Sequence, residues 1–317
     1  MAVSDNERSR LDDAARAGWL YYIAGNTQDE IAKKLKVSRA TAQRLVSLCL
    51  SERLITFRLE HPIAACMELA ARLTEKYGLR FCEVVPTDAA APTAVAGVAE
   101  RAAALLEATL RAEKPAIIAI GTGRTMRAAV EQIAPMDCPN HQVVSLVGNI
   151  SPDGSASFYD TLARLADLTK ARHYPMPLPV FLASDAERQQ VMKIAPVSRV
   201  RALAEKADLR LVGIGQFDLN AQVFLDGFIS REELLEMLRM GAVGEVTAWA
   251  MDADGHVLPG GTNKRLTSVP LPIPAKALTV GAAVGPSKVV PIRAALKGRV
   301  INGLITDEAT AQALLKG

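Results

Sequence analysis

The sequence predicts an α/β protein in two parts: a small helical unit at the N-terminus, then a large body in which strands and helices alternate. Three observations carry this. Helix caps and short turns crowd the first fifty residues, and seven short apolar runs separated by helical stretches follow residue 80. Near-continuous β-branched runs between helices read as a mostly parallel sheet covered on both faces. Finally, 317 residues exceed one ordinary domain and suit two.

Composition narrows the class. Half the residues are hydrophobic and 22% charged, which builds a large core and excludes disorder. Aromatics are only 4%, so that core is mostly Ala, Val, Leu and Ile. With 37 Lys and Arg against 34 Asp and Glu, the net charge of +3 implies no polyanion partner by itself. Charge has to be read locally. The charged start MAVSDNERSRLDD and the lack of an apolar run near 18 residues point away from a secretory peptide or a membrane span. Cys49, Cys66, Cys82 and Cys138 are scattered, as are the four histidines. Neither a disulfide framework nor a metal or cofactor site is expected, and a reducing cytoplasm is the expected compartment.

Ser4 and Glu7 form an S-x-x-E capping box before an apolar stripe through Leu11, Ala14, Ala15, Gly18, Trp19, Tyr22 and Ile23, ended by Gly25-Asn26. Thr27 and Glu30 form a second box, opening a short helix with Ile31, Ala32 and Leu35 on one face. Lys36-Val37 turns the chain, with Lys36 where a left-handed backbone is often needed. Ser38 then caps a third helix carrying Ala42, Leu45, Val46 and Cys49. Two such helices and a short turn are a helix-turn-helix, with the small Ala32 at the helix crossing.

Residues 33–58 hold seven basic side chains and one acidic, Glu52, a local net of +6. Such a concentration suits the phosphates of double-stranded DNA. Arg39, Ala40, Thr41, Gln43 and Arg44 lie where base edges would be met, and Thr27, Gln28 and Ser38, at the two helix starts, complete the candidate DNA-contacting set. A generic three-helix bundle with a solvated basic face is the bland alternative. Residues 54–59 alternate like a short strand ended by Pro62, the signal of a wing.

Residues 63–77 have helical periodicity up to Gly78, either as a linker helix that also dimerises or as the first helix of the next domain. The division expected is a helix-turn-helix domain at 1–60, with or without a wing, a linker helix at 61–79 and an α/β domain at 80–317. In the last, strands are predicted at 81–85, 117–120, 143–147, 209–214, 246–251, 278–284 and 300–305. Helices are predicted at 94–112, 125–134, 157–171, 185–194, 199–206, 230–240, 287–297 and 307–315. The pieces at 246–258 read as a hairpin turning at Asp254-Gly255.

Ligands of such sheets bind outside the carboxyl ends of the strands, and three loops there carry chemistry. Gly121-Thr122-Gly123-Arg124-Thr125 follows an apolar strand and precedes a helix, an arrangement that accepts a single phosphate, since it is neither a Walker sequence nor a full G-x-G-x-x-G. Gly281-Ala-Ala-Val-Gly285-Pro-Ser-Lys288 repeats the pattern and adds a cation. Gly213-Ile-Gly215-Gln216 allows close approach and a hydroxyl contact from Gln216. Glu245, after Gly241-Ala-Val-Gly244, offers a carboxylate to sugar hydroxyls. The plainer readings are tight turns, a surface lysine and a solvated carboxylate. No nucleophile elbow or Cys/His pair is present, and Asp218, Asp226, Asp252 and Asp254 offer only a weak acid–base set.

These residues resemble the SorC/DeoR-type sugar-binding transcriptional regulators of bacteria over nearly the whole chain. The matching segments are QDEIAKKLKVSRATAQRLVSLCLSERLITFRLEHP, GTGRTM, LVGIG, GAVGE with DADG, and GPSKVVPIRAALKGRVINGLITDEATAQALL. The family often has Val-Ser where this chain has Ala42-Gln43, which implies altered base preference, and Gly where it has Arg53. The resemblance implies a helix-turn-helix joined to a Rossmann-like body similar to sugar-phosphate isomerases. It further implies a phosphorylated sugar or polyol as effector, and dimers or tetramers on operator DNA. The family's phosphate loop falls on Gly121–Thr125, its phosphate-binding lysine on Lys288 and its sugar-contacting carboxylate on Glu245. Two competing expectations are an isomerase-like enzyme fused to a DNA-binding domain, and a DNA-binding scaffold whose body only oligomerises.

Overall fold

The computed structural model describes residues 5–52, 54–55, 63–155 and 161–316. The Ser4–Glu7 capping box lies outside the described residues. So does most of the expected wing strand, of which Leu54 and Ile55 form a bend. The chain divides into two compact units, residues 1–61 and 62–317.

In the first unit, α1 (Asp5–Gly18) runs into a π-helical turn over Trp19–Ile23, closed by the Ala24 N–H donating to the Trp19 carbonyl. Then come α2 (Gln28–Leu35) and α3 (Arg39–Ser51). Ala17, Ile31, Ala32, Ala42 and Val46 make the small core, with Leu35, Val37 and Leu45 packed on it. The predicted stripe on the first helix needs correction. Trp19 and Ile23 are 57% and 64% exposed, Ala15 is exposed, and Ala17 is fully buried. A π turn inserts an extra residue into the helical repeat, so an apolar stripe read at constant helical spacing loses phase there.

The second unit is a seven-stranded parallel sheet in the order β1-β9-β8-β5-β2-β3-β4. Its strands are β1 (Phe81–Val85), β2 (Ile117–Ile120), β3 (Gln142–Ile150), β4 (Arg172–Pro179), β5 (Leu209–Gln216), β8 (Leu278–Ala282) and β9 (Gly303–Asp307). A hairpin of β6 (Gly244–Val246) and β7 (Trp249–Met251) extends antiparallel from the end of β5, pairing Gly215 with Glu245. One face of the sheet is covered by α5 (Ala96–Leu110), α6 (Arg124–Glu131) and α7 (Leu162–Thr169), over Ile118, Ile120, Leu209 and Leu211. The other is covered by α4 (Ala64–Tyr77), α9 (Ala195–Glu205), α12 (Val289–Lys297) and α13 (Glu308–Lys316), over Ala119, Val144, Val212 and Leu304. Short helices α8 (Asp185–Val191), α10 (Gln222–Leu225) and α11 (Arg231–Arg239) complete the chain. The last two enclose a satellite core of Phe217, Ile229, Leu234, Met237 and Ala250.

Two sequence expectations change. Strand β4 has no counterpart in the predicted set, because Pro175, Pro177 and Pro179 mask it. Its place at the sheet edge is where missing amide donors are tolerated. The hairpin turns at Thr247-Ala248, both left-handed at φ 52° and 66°, rather than at Asp254-Gly255. Asp254-Gly255 makes a second turn, where an isolated bridge pairs Met251 with Val257. Helix α4 packs within the second unit through Leu69 and Leu73, and its Lys76 and Tyr77 donate to the Leu314 carbonyl of α13.

Gly18 sits where α1 crosses α3: a Cβ there would lie 2.1 Å from Cys49 Sγ and 3.0 Å from Cys49 Cβ. Gly18→Ala is therefore expected to destabilise this unit by about 1–3 kcal/mol through overpacking. Hydrogen exchange of the α3 amides checks it: exchange speeds up in Gly18→Ala and slows again when Cys49→Ala is added.

Candidate functional site

In the first unit the caps set the exposed surface. The Thr27 N–H donates to Glu30 Oε2 (2.8 Å) while the Glu30 N–H donates to Thr27 Oγ1, so α2 starts at a closed capping box. Lys36 ends α2 in the left-handed region at φ 55°, which lets the chain turn at once into α3. Ser38 Oγ accepts the Thr41 N–H (3.1 Å) and caps α3. Arg39, Ala40, Gln43 and Arg44 are then exposed on the N-terminal half of α3, Thr41 is half-buried beside Ser38, and the intervening Ala42 faces the core. Thr27 is exposed and Gln28 half-buried at the start of α2. Arg44 Nε donates to the Ala40 carbonyl (3.3 Å). Arg39 meets Asp29 at 3.5 Å, with both side chains mostly solvated. Such a pair contributes little and gives way readily to a phosphate.

In the second unit a cleft of about 600 Å³ opens at the carboxyl ends of the strands. It lies where the sheet order reverses. From β2 the chain proceeds to β3 and β4, while from its neighbour β5 it proceeds to β8 and β9, so the loops after β2 and β5 part company. Thr122, Gly123, Arg124 and Thr125 line one side, Gln216 and Glu245 the floor, and Lys288 the other side. Gly121 lies beneath, its N–H donating to the Leu211 carbonyl (2.9 Å), and a Cβ there would approach Val212 Cα at 3.4 Å.

The two strand-to-helix loops share a geometry. Gly123 has φ 109° and ψ 174°, and Gly285 has φ 109° and ψ 162°, a region reserved for glycine. Each is followed at once by helical turns with no side-chain cap among the described residues: α6 after Gly123, and the 3₁₀ turn Pro286–Lys288 leading into α12 after Gly285. Helix N-terminal amides without caps attract anions. Lys288 Nζ donates to Gln216 Oε1, whose Nε2 donates to the Asn220 carbonyl (3.3 Å). Glu245 Oε2 accepts the Ala248 N–H (2.5 Å), and its carboxylate lies so close over Gly215 that a Cβ there would be 1.9 Å from Oε1. Burial pushes the Glu245 carboxyl above its usual range, opposed by the Ala248 N–H, the Lys288 charge and the Gly215 N–H. Burial pushes the Lys288 ammonium down, opposed by Glu245 and assisted by Arg124.

All the candidate effector residues other than the underlying Gly121 thus line one cleft. Sequence reasoning did not assign Thr93, Ser287, Thr247, Ala248, Gln222 or Phe228 to it. Ser287 adjoins Lys288 in the quoted loop and was within reach. Thr93 follows a Pro- and Ala-rich stretch without periodicity, and Thr247-Ala248 looks like strand interior. Asp226 also lines the cleft, but its Oδ1 accepts from Gln222 Nε2 (2.6 Å).

A helix-turn-helix with an exposed polar face on α3, followed in one chain by an α/β body with a polar cleft at its strand ends, is the architecture of a ligand-responsive DNA-binding protein. The Sugar-bind family, a sugar-binding domain, matches residues 61–316. The erythritol catabolism regulatory protein EryD of Brucella abortus (strain 2308) is 32% identical over 302 residues, covering 95% of this chain and 96% of that protein. The deoxyribonucleoside regulator of Bacillus subtilis (strain 168) is 29% identical, covering 98% and 99%. Among solved structures, the full-length sorbitol operon regulator SorC of Klebsiella pneumoniae shares the fold with a TM-score of 0.71 at 24% identity, covering 98% of this chain and 99% of that one. The chain belongs to the SorC/DeoR-type family of sugar-binding transcriptional regulators. No helix among the described residues is long and apolar enough to cross a membrane.

Gly123→Ala meets no neighbouring atom yet forces alanine into a glycine-only conformation. A cost of about 1–3 kcal/mol is expected, read as a lower urea midpoint at unchanged m-value; an unmoved midpoint would show that the loop is not held in this conformation.

Proposed function

We propose that this protein regulates transcription of a carbohydrate or polyol pathway. It binds operator DNA through α3 and releases or rearranges on it when a phosphorylated sugar or polyol enters the cleft. The observation that carries the reading is the convergence of two uncapped, glycine-led helix starts and Lys288 on one cleft floored by Glu245 and Gln216. The α6 amides with Thr122 and Thr125, together with Lys288, hold the phosphate. Gln216 and Glu245 read hydroxyls, and Arg124 at the rim favours anionic ligands.

Two of the four carboxylates that could serve an isomerase are engaged in local turns. Asp218 Oδ1 accepts the Asn220 N–H (2.7 Å), and Asp252 Oδ1 accepts those of Asp254 and His256 (2.9 Å each). That arrangement, and relatives that are named as regulators, support a regulator without catalytic turnover. The protein acts in the cytoplasm as a homo-oligomer, since operators of this kind are read by symmetric pairs of recognition helices.

An effector acts only through differential affinity for the DNA-competent and DNA-incompetent arrangements. A coupling of about 1–3 kcal/mol changes operator affinity roughly 5–150-fold. Fluorescence anisotropy of labelled DNA from upstream of the gene tests this, with phosphorylated sugars and polyols set against their unphosphorylated parents. A shift produced only by a phosphorylated compound, and lost in Lys288→Ala with DNA affinity retained, is the expected result. Indifference to every compound would leave the body without its proposed role, and loss of DNA binding in Lys288→Ala would contradict the separation of roles. In the same assay Arg44→Ala should weaken specific binding by about 1–3 kcal/mol; unchanged affinity would remove α3 from the interface.

A further inference from the structure

The buried Asp307 carboxylate and Thr310 hydroxyl, with the half-buried Thr87 against them, lie at the start of α13, beside the cleft but not lining it. Asp307 and Thr310 are 3% and 2% exposed. Asp307 Oδ1 accepts the Thr310 N–H (3.2 Å), Thr87 Oγ1 donates to Asp307 Oδ2 (2.5 Å), and the Ala309 N–H donates to Thr87 Oγ1 (2.9 Å). The Ala309 and Thr310 amides in the first turn of α13 thus have side-chain acceptors, in contrast to the starts after Gly123 and Gly285, which have no side-chain cap.

Thr310 Oγ1 then accepts the N–H of Gly285 (3.0 Å). That amide is buried, so losing its acceptor would carry the full cost of an unpaired donor. On its other side Gly285 is closed in by Thr93, whose Cγ2 would lie 3.3 Å from a Cβ at this position. The Gly285 carbonyl in turn accepts the Lys288 N–H (3.0 Å). One hydroxyl therefore anchors the Val284–Gly285 peptide, and the next carbonyl along, that of Gly285, holds the turn carrying Lys288.

We propose that Thr310 is a positioning residue of the anion subsite: held by the Asp307–Thr87 pair, its hydroxyl fixes the Gly285 peptide and so the placement of Lys288 and the turn before α12. This rests on the cleft reading given above. Thr310 itself touches no ligand. Its effect passes through Gly285, so a variant that keeps the hydroxyl keeps the site.

The test is a ³¹P NMR titration of full-length protein with inorganic phosphate, comparing wild type, Lys288→Ala, Thr310→Val and Thr310→Ser. Thr310→Val should raise the Kd for phosphate about five- to tenfold, the worth of one hydrogen bond. Thr310→Ser should stay within about twofold of wild type, and Lys288→Ala should bind no phosphate. Should Thr310→Val not fold, Thr310→Cys, which differs from Thr310→Ser only in replacing the hydroxyl oxygen by a poorly accepting sulfur, should weaken phosphate in the same direction. Phosphate affinity lost with Lys288 but unmoved in the folded Thr310→Val or Thr310→Cys protein overturns the proposal alone. Wild type that binds no phosphate, or Lys288→Ala that binds it equally, overturns the cleft reading and the proposal with it.

Discussion

A parallel sheet whose chain leaves one central strand toward one edge, and the neighbouring strand toward the other, must open a crevice where the crossovers diverge. In this protein those neighbours are β2 and β5, and the rest of the second unit follows from the opening between them. The loops after β2 and β8 approach it from two sides, and the hairpin after β5 closes its floor. The connections must also turn sharply from strand to helix without covering the helix starts. Gly123 and Gly285 do this with the same φ of 109°, a backbone that a side chain would forbid. Polarity is then divided by position, with amides and cations at the loops and Glu245 and Gln216 on the floor.

Much of this was legible in the sequence because local and global signals agree. A β-branched run, a glycine turn and an amphipathic helix read the same way in isolation as in the fold, so Gly121–Thr125 and Lys288 could be placed at strand ends. The less legible parts are those where the signals conflict. Three prolines hid β4, since only an edge position makes them tolerable. A β-branched threonine is among the poorest residues for a left-handed turn, so Thr247-Ala248 reads as strand interior until pairing with β5 and β7 fixes the register. Glu245 was legible as a carboxylate near the site, but not that Ala248 and Gly215 hold it in place. Thr310 belongs to a segment far along the chain, and only the three-dimensional neighbourhood of Gly285 shows its use.

The first unit obeys a different economy. Its core is small, and close helix approach at Gly18 and Cys49 does what bulk does elsewhere. Caps at Thr27 and Ser38 spend their hydroxyls on the backbone, which fixes where α3 begins and hence which residues it exposes. The near-neutral charge of the whole chain conceals the basic stretch around α3, so a local reading was required. The π turn at Trp19–Ile23 escaped that reading because helical periodicity assumes a constant repeat.

In the proposed function, one cleft holds the phosphate of the controlling ligand between the start of α6 and Lys288. A crystal structure of the protein with the phosphorylated compound that shifts DNA binding tests it most directly. The expected result is phosphate density within hydrogen-bonding distance of the Gly123–Thr125 amides and Lys288 Nζ, with the ligand's hydroxyls toward Glu245 and Gln216. Density for the phosphate at any other place on the protein, or a ligand bound in the cleft with its phosphate turned to solvent, would contradict it.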